Sequence, residues 1–299
     1  MGAITPGDFR AGFLAVVGRS NVGKSTLVNR LVGQKISITS SKGQTTRHLI
    51  RGIRTTDLCQ YVFVDTPGFQ TRHTKALNRL MNRRVTQSLR DIDVVLFVIE
   101  AERFRDADRA VLDLLTGSQP VILVINKIDL LRDKARLLPF IDRLSQEFPF
   151  DDIVPVSAAR DSGIDDLLRT AGLHLPPSGP LFGAEEITDC SARFLAAELL
   201  REQLFRNLGD EVPYGVTVDI EAFCTEGNLS RIHAAAIVDK ANHKAIVIGR
   251  RGQTMKKIAS EARIEMEKLF GGRVRLEVWV KVRSGWADDA KALKTLGYQ

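Results

Sequence analysis

Cysteine and long apolar runs are both scarce in this sequence. Its 299 residues include three cysteines, Cys59, Cys190 and Cys224, which lie far apart and fit no C-x-x-C metal spacing. This pattern argues against a disulfide framework and a zinc site and favours a reducing, intracellular compartment. The apolar runs at 13–17 and 94–99 are too short for a secretory signal or a membrane span. We therefore expect a soluble cytoplasmic protein.

Basic charge is concentrated near the end of the chain. Lys and Arg total 43 and Asp and Glu total 36, which gives a formal net charge of +7. Residues 1–181 hold 25 basic and 19 acidic residues, residues 182–239 hold 4 and 11, and residues 240–299 hold 14 and 6. The basic excess suggests a polyanionic partner, and its distribution places that partner mainly on residues 240–299.

Hydrophobic patterning predicts an α/β first domain. Continuous apolar runs, bounded by turn residues, alternate with helix-like stretches such as 24–31 and 107–115. Continuous apolar strands separated by helices indicate a mostly parallel sheet with helices on both faces. The predicted strands are 14–17, 61–64, 94–99, 121–125 and 153–156.

A second, α+β domain is predicted after a proline-rich linker. Pro176-Pro177-Ser178-Gly179-Pro180 cannot continue a helix or a central strand. The patterning beyond it predicts a helix at 190–208 and a hairpin of two strands at 214–225 and 229–239. A long helix at 253–270 and a closing strand at 273–282 follow. We expect domains at 1–175 and 185–285, joined by a linker at 176–184 and followed by a tail at 286–299.

A phosphate-binding loop is the strongest motif. It matches G-x-x-x-x-G-K-[ST] directly after a predicted strand. Glycines let backbone N–H groups converge on phosphate oxygens, and the following helix start adds its positive end. In this pattern Lys24 reaches the β- and γ-phosphates and Ser25 offers its hydroxyl to Mg²⁺. The predicted loop residues are Gly18, Arg19, Ser20, Asn21, Val22, Gly23, Lys24, Ser25 and Thr26.

Asp65-Thr66-Pro67-Gly68 and the following Phe69 come at the end of the next buried strand. A carboxylate there can hold a metal-bound water, and the Gly68 N–H can meet a γ-phosphate. By itself this tetrapeptide is an ordinary turn. Because it follows a phosphate-binding loop, we interpret Asp65 to Phe69 as part of the nucleotide and metal site.

Asn126-Lys127-Ile128-Asp129 follows a third predicted strand and indicates guanine specificity. The Asp129 carboxylate can accept two N–H donors from the edge of guanine that adenine does not present, and such a paired site discriminates strongly. We expect Asn126 at the base edge and Lys127 along the ring plane. Ser157 and Ala158, after a fourth strand, are expected to supply a backbone N–H to the guanine oxygen.

In order and spacing, these motifs resemble the translation-factor-like GTPases. The resemblance implies GTP or GDP with Mg²⁺, held by Ser25, Asp65 and the switch threonine of that superfamily. Thr46 lies where that threonine is expected, and Thr45 leaves the register open by one residue. By analogy Thr46 completes the Mg²⁺ shell only while GTP is bound.

Phe69 departs from the Ras-like pattern, which has a water-orienting glutamine at this position. Relatives that carry an asparagine at the position of Asn21 use it to hold K⁺ near the phosphates, although Asn21 is also a common type of polar loop residue. A cation there can stabilise transition-state charge as an arginine finger does. We therefore predict slow intrinsic GTP hydrolysis, faster in K⁺ than in Na⁺, with Lys24, Thr46, Gly68 and Asn21 as its catalytic residues.

Ile246-Val247-Ile248-Gly249-Arg250-Arg251-Gly252, with the helix that follows, resembles the signature of KH domains of type II. That loop clamps a single-stranded RNA backbone. The resemblance makes residues 246–248 the end of a helix, although their propensity favours a strand. The residues expected to bind RNA are Gly249, Arg250, Arg251, Gly252, Lys256 and Lys257.

A GTPase domain followed by a KH domain is the order found in the Era family of bacterial ribosome-assembly GTPases, which this sequence resembles. The segments 44–48 (QTTRH) and 279–289 (WVKVRSGWADD) also resemble that family. The resemblance implies binding to 16S ribosomal RNA near its 3′ end, a role in 30S subunit assembly and maturation, and loose inner-membrane association. We expect a monomer that binds no DNA. The alternative is a signalling or membrane-cycling GTPase whose C-terminal domain binds protein. The basic stretch at 70–90 is either an RNA contact or a solvated helix face.

Overall fold

The computed structural model describes residues 9–40, 42, 45–68, 76–89, 91–115, 119–209 and 211–298, and of residues 84 and 88 it describes the backbone alone. These residues divide into two compact units. The first contains the described residues within 9–37, 46–68 and 81–189, and the second contains those within 38–45, 76–80 and 190–298. Each unit has its own β-sheet.

The sheet of the first unit is mostly parallel. Its strands are β1 (Arg10–Val17), β2 (Ile50–Thr55), β3 (Cys59–Asp65), β4 (Val94–Glu100), β5 (Val121–Asn126) and β6 (Asp152–Pro155). They lie in the order β2-β3-β1-β4-β5-β6, and every neighbouring pair is parallel except β2 with β3. All residues of β3, β4 and β5 are buried, as expected for strands covered on both faces. The predicted α/β class is confirmed.

Strand β2 was not predicted from the sequence. It lies at the sheet edge and includes two arginines, Arg51 and Arg54, so it lacks the continuous apolar run that marks the central strands. It pairs with β3 through a short turn in which the Thr56 hydroxyl accepts a hydrogen bond from the Cys59 N–H at 3.0 Å. An edge strand buries less of its surface, so its sequence carries a weaker apolar signal.

Helices cover the sheet of the first unit. They include α1 (Lys24–Val32), α3 (Asp106–Leu112), α4 (Leu137–Ser145) and α5 (Ile164–His174), while the residues of α2 (Ala76–Ser88) are divided between the two units. Leu14, Val16 and Leu27 are completely buried in this unit. In the part of the chain that is described, no helix is both long and apolar enough to cross a membrane.

The proline-rich segment predicted as a linker packs against the first unit. Its Ser178 N–H donates to the Phe9 carbonyl at 3.0 Å. The buried Gln60 side chain accepts hydrogen bonds from the N–H groups of Leu181 and Phe182, at 2.6 and 2.8 Å. The first unit therefore continues through this segment and ends at Asp189.

The second unit combines a three-stranded sheet with helices on its apolar face. Its elements are α6 (Ala192–Asn207), β7 (Val216–Glu226), β8 (Leu229–Val238), α7 (Ala241–Ile248), α8 (Gln253–Phe270), β9 (Arg273–Val282) and α9 (Ala290–Thr295). Strands β7 and β8 form the predicted antiparallel hairpin, and β9 runs parallel to β8. Residues 246–248 are helical, as the KH resemblance implied, because Val247 is thereby buried in the core of this unit.

Candidate functional site

The loop between β1 and α1 is shaped by two glycines. Gly18 and Gly23 have φ angles of 152° and 99°, which residues other than glycine rarely adopt. A Cβ on Gly18 would lie 2.3 Å from the Val98 carbonyl oxygen, and one on Gly23 would lie 2.4 Å from Nδ2 of Asn126. Helix α1 begins directly after this loop, so its unpaired N–H groups and positive dipole end lie beside it.

Lys24 is a buried cation of this loop, with 6% of its surface exposed. Its Nζ donates to the carbonyl oxygens of Gly18 and Arg19 at 2.9 and 3.0 Å. Burial lowers the pKa of Lys24 to about 8, although the nearby Asp65 carboxylate acts in the opposite direction. A buried ammonium group next to convergent N–H donors is well suited to the phosphates of a nucleotide.

Three oxygen-bearing side chains come together near Lys24. Ser25 Oγ and Thr46 Oγ1 lie 2.7 Å apart. Asp65, at the end of β3, is completely buried, and burial raises the pKa of its carboxyl. Hydrogen bonds from nearby hydroxyls, above all Ser37, and the charge of Lys24 oppose that rise. Among the described residues, Asp65 Oδ1 has no hydrogen-bond partner.

These residues fit a magnesium ion. Mg²⁺ prefers oxygen ligands and keeps several of its waters, and the buried Asp65 Oδ1 can accept a hydrogen bond from such a water. The Thr45 hydroxyl donates instead to the Lys42 carbonyl at 2.7 Å. The structure thus places Thr46, and not Thr45, beside Ser25.

The loop after β3 lies against the phosphate-binding loop. Thr66 is completely buried, and its hydroxyl donates to the Val16 carbonyl at 2.8 Å. A Cβ on Gly68 would lie 2.9 Å from the Cα of Ser20 as well as 2.5 Å from its Oγ, so only glycine permits this approach to the backbone of the phosphate-binding loop. Pro67 connects these two residues. Phe69 lies outside the described residues.

Asn126 connects the candidate base-binding loops to the phosphate-binding loop. Its side chain is buried, and Nδ2 donates one N–H to the Val22 carbonyl at 2.8 Å. Its Oδ1 accepts from the N–H groups of Lys127 and Ala158, at 2.8 and 3.0 Å. Asn126 thus fixes the relative positions of three segments, and among the described residues its second amide N–H has no hydrogen-bond acceptor.

The remaining residues expected to bind the base also come together. Lys127 Nζ donates to the Asn21 carbonyl at 2.7 Å. The exposed Asp129 accepts from Ser157 Oγ at 2.5 Å. The N–H of Ser157 donates to the Ser162 carbonyl at 2.9 Å. Because the N–H groups of Ser157 and Ala158 are both bonded within the protein, a guanine oxygen would have to share or replace one of these bonds.

Sequence motifs did not predict the partners of Arg19. Its guanidinium is nearly buried and donates to Asp108 Oδ2 at 3.0 Å and to Glu100 Oε2 at 3.1 Å. Glu100 also lies 3.5 Å from Lys127 Nζ. The two carboxylates neutralise the charge of Arg19, so this arginine is not available as an arginine finger. The motif that contains Arg19 does not indicate these ion pairs, because Asp108 and Glu100 are distant from Arg19 in the sequence.

In the second unit, two glycines frame the loop between α7 and α8. Gly249 and Gly252 have φ angles of 73° and 76°. A Cβ on Gly249 would lie 2.1 Å from Thr254 Oγ1. The side chains of Arg250 and Arg251 between them are exposed. Lys256 and Lys257 in the first turns of α8 are exposed as well, so all four basic residues that were expected to bind RNA are accessible.

Two family profiles match two separate segments of the chain. Residues 13–127 match the family described as 50S ribosome-binding GTPase. Residues 211–287 match the KH domain family. Together with the geometry, these matches define a P-loop GTPase followed by a KH domain.

Comparison with known proteins identifies the family. The chain is 58% identical to GTPase Era of Nitrosomonas eutropha over 97% of its length and 98% of that protein. It is 55% identical to GTPase Era of Chromobacterium violaceum over 98% of its length and 99% of that protein. The chain belongs to the GTPase Era family and is a GTPase.

Two solved structures share this architecture. One is a variant of Aquifex aeolicus Era bound to GDP·AlF4⁻, with a TM-score of 0.94 and 38% identity over 97% of this chain and 99% of that one. The other is Era in complex with MgGDPNP and nucleotides 1506–1542 of 16S ribosomal RNA, with the same TM-score of 0.94, 38% identity and coverage of 97% and 99%.

Proposed function

We propose that this GTPase is a GTP-controlled switch that binds 16S rRNA near its 3′ end through its KH domain. In this role it assists the assembly and maturation of the 30S subunit. The observation that carries the proposal is the loop at 249–252, in which two positive-φ glycines enclose two exposed arginines. The solved complex of Era with nucleotides 1506–1542 of 16S rRNA supports the same assignment. We propose that nucleotide binding lies within the expected domain at 1–175 and RNA binding within the part of the expected domain at 185–285 that follows Asp189, where the first unit ends. The expected linker at 176–184 belongs to the first unit, and the expected tail at 286–299 begins with Trp286, which is buried in the second unit.

In the first unit, we propose that the phosphates lie on the loop formed by residues 18–26. Lys24 then binds the β- and γ-phosphates, and the Gly68 N–H meets the γ-phosphate. Ser25, Thr46 and Asp65 would hold Mg²⁺, which neutralises the charge that develops on the phosphates. Crystals of the related Era protein with MgGDPNP support magnesium and a guanine nucleotide as the bound groups.

We propose that the base is read by the loops after β5 and β6. The Asp129 carboxylate accepts the N–H donors of the guanine edge, and the bond from Ser157 Oγ holds it in place. The second N–H of Asn126 binds the base edge, and the stem of Lys127 lies along the ring. An ammonium bound to the Asn21 carbonyl keeps Lys127 between the base and the phosphate-binding loop.

We also propose that Asn21 makes GTP hydrolysis faster in K⁺ than in Na⁺. Asn21 is exposed in the phosphate-binding loop and has a φ of 67°. This conformation is one that Asn tolerates better than most residues. Turnover by the wild type should be faster in KCl than in NaCl, and Asn21→Ala should remove the difference. Equal wild-type rates in the two salts would contradict the proposal.

We propose that the protein acts as a monomer in the cytoplasm and associates loosely with the inner membrane. Leu130 and Leu138 are 67% and 73% exposed, and the exposed Arg132 and Lys134 lie between them in the sequence. Apolar side chains next to basic ones suit an anionic lipid surface. The protein should sediment with anionic vesicles but not with zwitterionic ones, and Leu130→Ser with Leu138→Ser should reduce this. Absence of sedimentation with anionic vesicles would refute the membrane contact.

The RNA-binding proposal is tested by charge reversal on the loop. With a GTP analogue bound, Arg250→Glu with Arg251→Glu should lower affinity for a 16S fragment of nucleotides 1506–1542 about tenfold or more. Loss of two phosphate contacts should also reduce the slope of log affinity against log salt by about 1.4. Lys291→Glu with Lys294→Glu is the control, because both side chains are exposed on α9 and the charge change is equal. Equal weakening by both double variants would contradict a specific role for the loop.

A further inference from the structure

The Asp65 carboxylate is held by a serine that lies outside all the nucleotide-binding motifs. Ser37 follows α1 in the chain, is completely buried, and donates its Oγ to Asp65 Oδ2 at 2.5 Å. The other carboxylate oxygen, Oδ1, is buried without a hydrogen-bond partner among the described residues. The terminal torsion of an aspartate is otherwise broad. The Ser25 and Thr46 hydroxyls also interact with this carboxylate, but the bond from Ser37 is the strongest of the three. It is therefore the main contact that sets which carboxylate oxygen remains for a ligand.

The backbone of Ser37 is in turn fixed by Asn29. Asn29 Oδ1 accepts the N–H groups of Ile36 and Ser37 at 3.0 and 2.8 Å. Asn29 Nδ2 donates to the Ser37 carbonyl at 2.7 Å. One half-buried amide side chain thus satisfies both backbone groups of Ser37. Because Asn29 lies on α1, Ser37 is attached to the same helix that begins with Lys24 and Ser25.

We propose that Ser37 is a positioning residue for the magnesium site and that Asn29 holds Ser37 in place for this role. The inference rests on the proposed binding of Mg²⁺ by Ser25, Thr46 and Asp65. Helix α1 then supplies one metal-binding hydroxyl directly, through Ser25, and orients the carboxylate through Asn29 and Ser37. This arrangement fixes the position of the Asp65 carboxylate relative to the Ser25 hydroxyl, although Ser25 lies on α1 and Asp65 on β3.

The test measures magnesium dependence and not turnover. Dissociation of a fluorescent GDP derivative from the full chain is followed while Mg²⁺ is titrated from an EDTA solution. Mg²⁺ slows the dissociation of GDP, and the Mg²⁺ concentration that gives half of this slowing is compared between variants. For Ser37→Ala this concentration should rise about tenfold, as expected for loss of a hydrogen bond to a charged group. GDP affinity in EDTA should stay within about twofold of the wild type, because Ser37 is not assigned a nucleotide contact.

Thr217→Val is the matched control for loss of a buried hydroxyl. Thr217 is 2% exposed, and its hydroxyl lies 2.9 Å from that of Tyr298 in the second unit. This variant should keep the wild-type magnesium dependence. If Ser37→Ala does not fold, Asn29→Ala replaces it and should shift the dependence in the same direction.

Asp65→Asn separates this inference from the proposal on which it rests. If Asp65→Asn keeps the wild-type magnesium dependence, the proposed metal site itself is wrong. If Asp65→Asn loses the dependence while Ser37→Ala, or Asn29→Ala in its place, behaves like the wild type, the metal site stands and the positioning role is overturned.

Discussion

Glu100 connects two nucleotide-binding loops, and we expect Glu100→Gln to destabilise the first unit. Its carboxylate accepts hydrogen bonds from Arg19 at 3.1 Å and from Arg103 at 3.0 Å, and it lies 3.5 Å from Lys127 Nζ. Breaking a buried ion pair typically costs about 3–5 kcal/mol. Because Asp108 still pairs with Arg19 and the amide oxygen still accepts a hydrogen bond, we expect a loss of about 2 kcal/mol.

The assay is urea unfolding of the full chain, followed by circular dichroism at pH 7. Asp166→Asn is the control, because Arg169 and Asp166 form an ion pair whose side chains are 71% and 69% exposed. Exposed pairs of this kind contribute below about 1 kcal/mol. If the two substitutions lower the free energy of unfolding equally, the buried network does not stabilise the loops as argued.

The pH dependence of the same difference gives a second check. Burial raises the pKa of Glu100, but the Arg19 bond and the charges of Lys127 and Arg103 outweigh it, so the pKa lies below its ordinary value of 4.5. A carboxylate whose pKa is lowered by folding stabilises the fold above its unfolded pKa and loses that contribution as pH falls through the folded pKa. The advantage of the wild type over Glu100→Gln should therefore be full at pH 7 and decline below pH 4.5. A difference independent of pH would contradict this account.

Single substitutions in both units should have measurable effects on stability or on magnesium binding. Gly249→Ala should destabilise the second unit by about 1–2 kcal/mol in thermal unfolding. Residue 249 has a φ of 73°, which alanine rarely adopts, and a Cβ there would collide with Thr254 Oγ1. An unchanged melting temperature would be inconsistent with the loop geometry. Arg201→Met should cost about 3 kcal/mol or more, measured by tryptophan fluorescence, since it removes both hydrogen bonds that the buried Arg201 donates to the carboxylate of the buried Glu198; a neutral effect would argue against this ion pair. Thr46→Ala should raise the Mg²⁺ requirement for binding a GTP analogue about tenfold, and Thr45→Ala less than about twofold; the reverse order would assign the metal contact to Thr45.

The sequence predicts those features whose signals are local. Strands β3, β4 and β5 are buried on both faces, so each must be a continuous apolar run, and each was found in that way. The phosphate-binding loop is likewise local, because its glycines, its lysine and the helix start follow one another along the chain. The loop at 249–252 was identified by the same kind of spacing.

Features that depend on long-range contacts were not predicted. Ser37 and Asp65 are 28 positions apart, and Arg19 and Glu100 are 81 positions apart. The crossovers of the sheet bring them together, and neither Ser37 nor Glu100 belongs to a motif. Strand β2 was not predicted because it lies at the edge of the sheet, where fewer consecutive apolar residues are needed than in a central strand.

Crosslinking of RNA to the full chain shows whether the KH domain binds the RNA and whether the bound nucleotide controls this binding. A photoreactive 16S fragment of nucleotides 1506–1542 is bound to the protein with a GTP analogue and, separately, with GDP, and the crosslinked peptides are mapped. We expect crosslinks at Gly249–Gly252 and along the start of α8, with a yield that differs between the two nucleotide states. Crosslinks confined to the first unit, or equal yields in both states, would contradict a GTP-controlled RNA clamp in the KH domain.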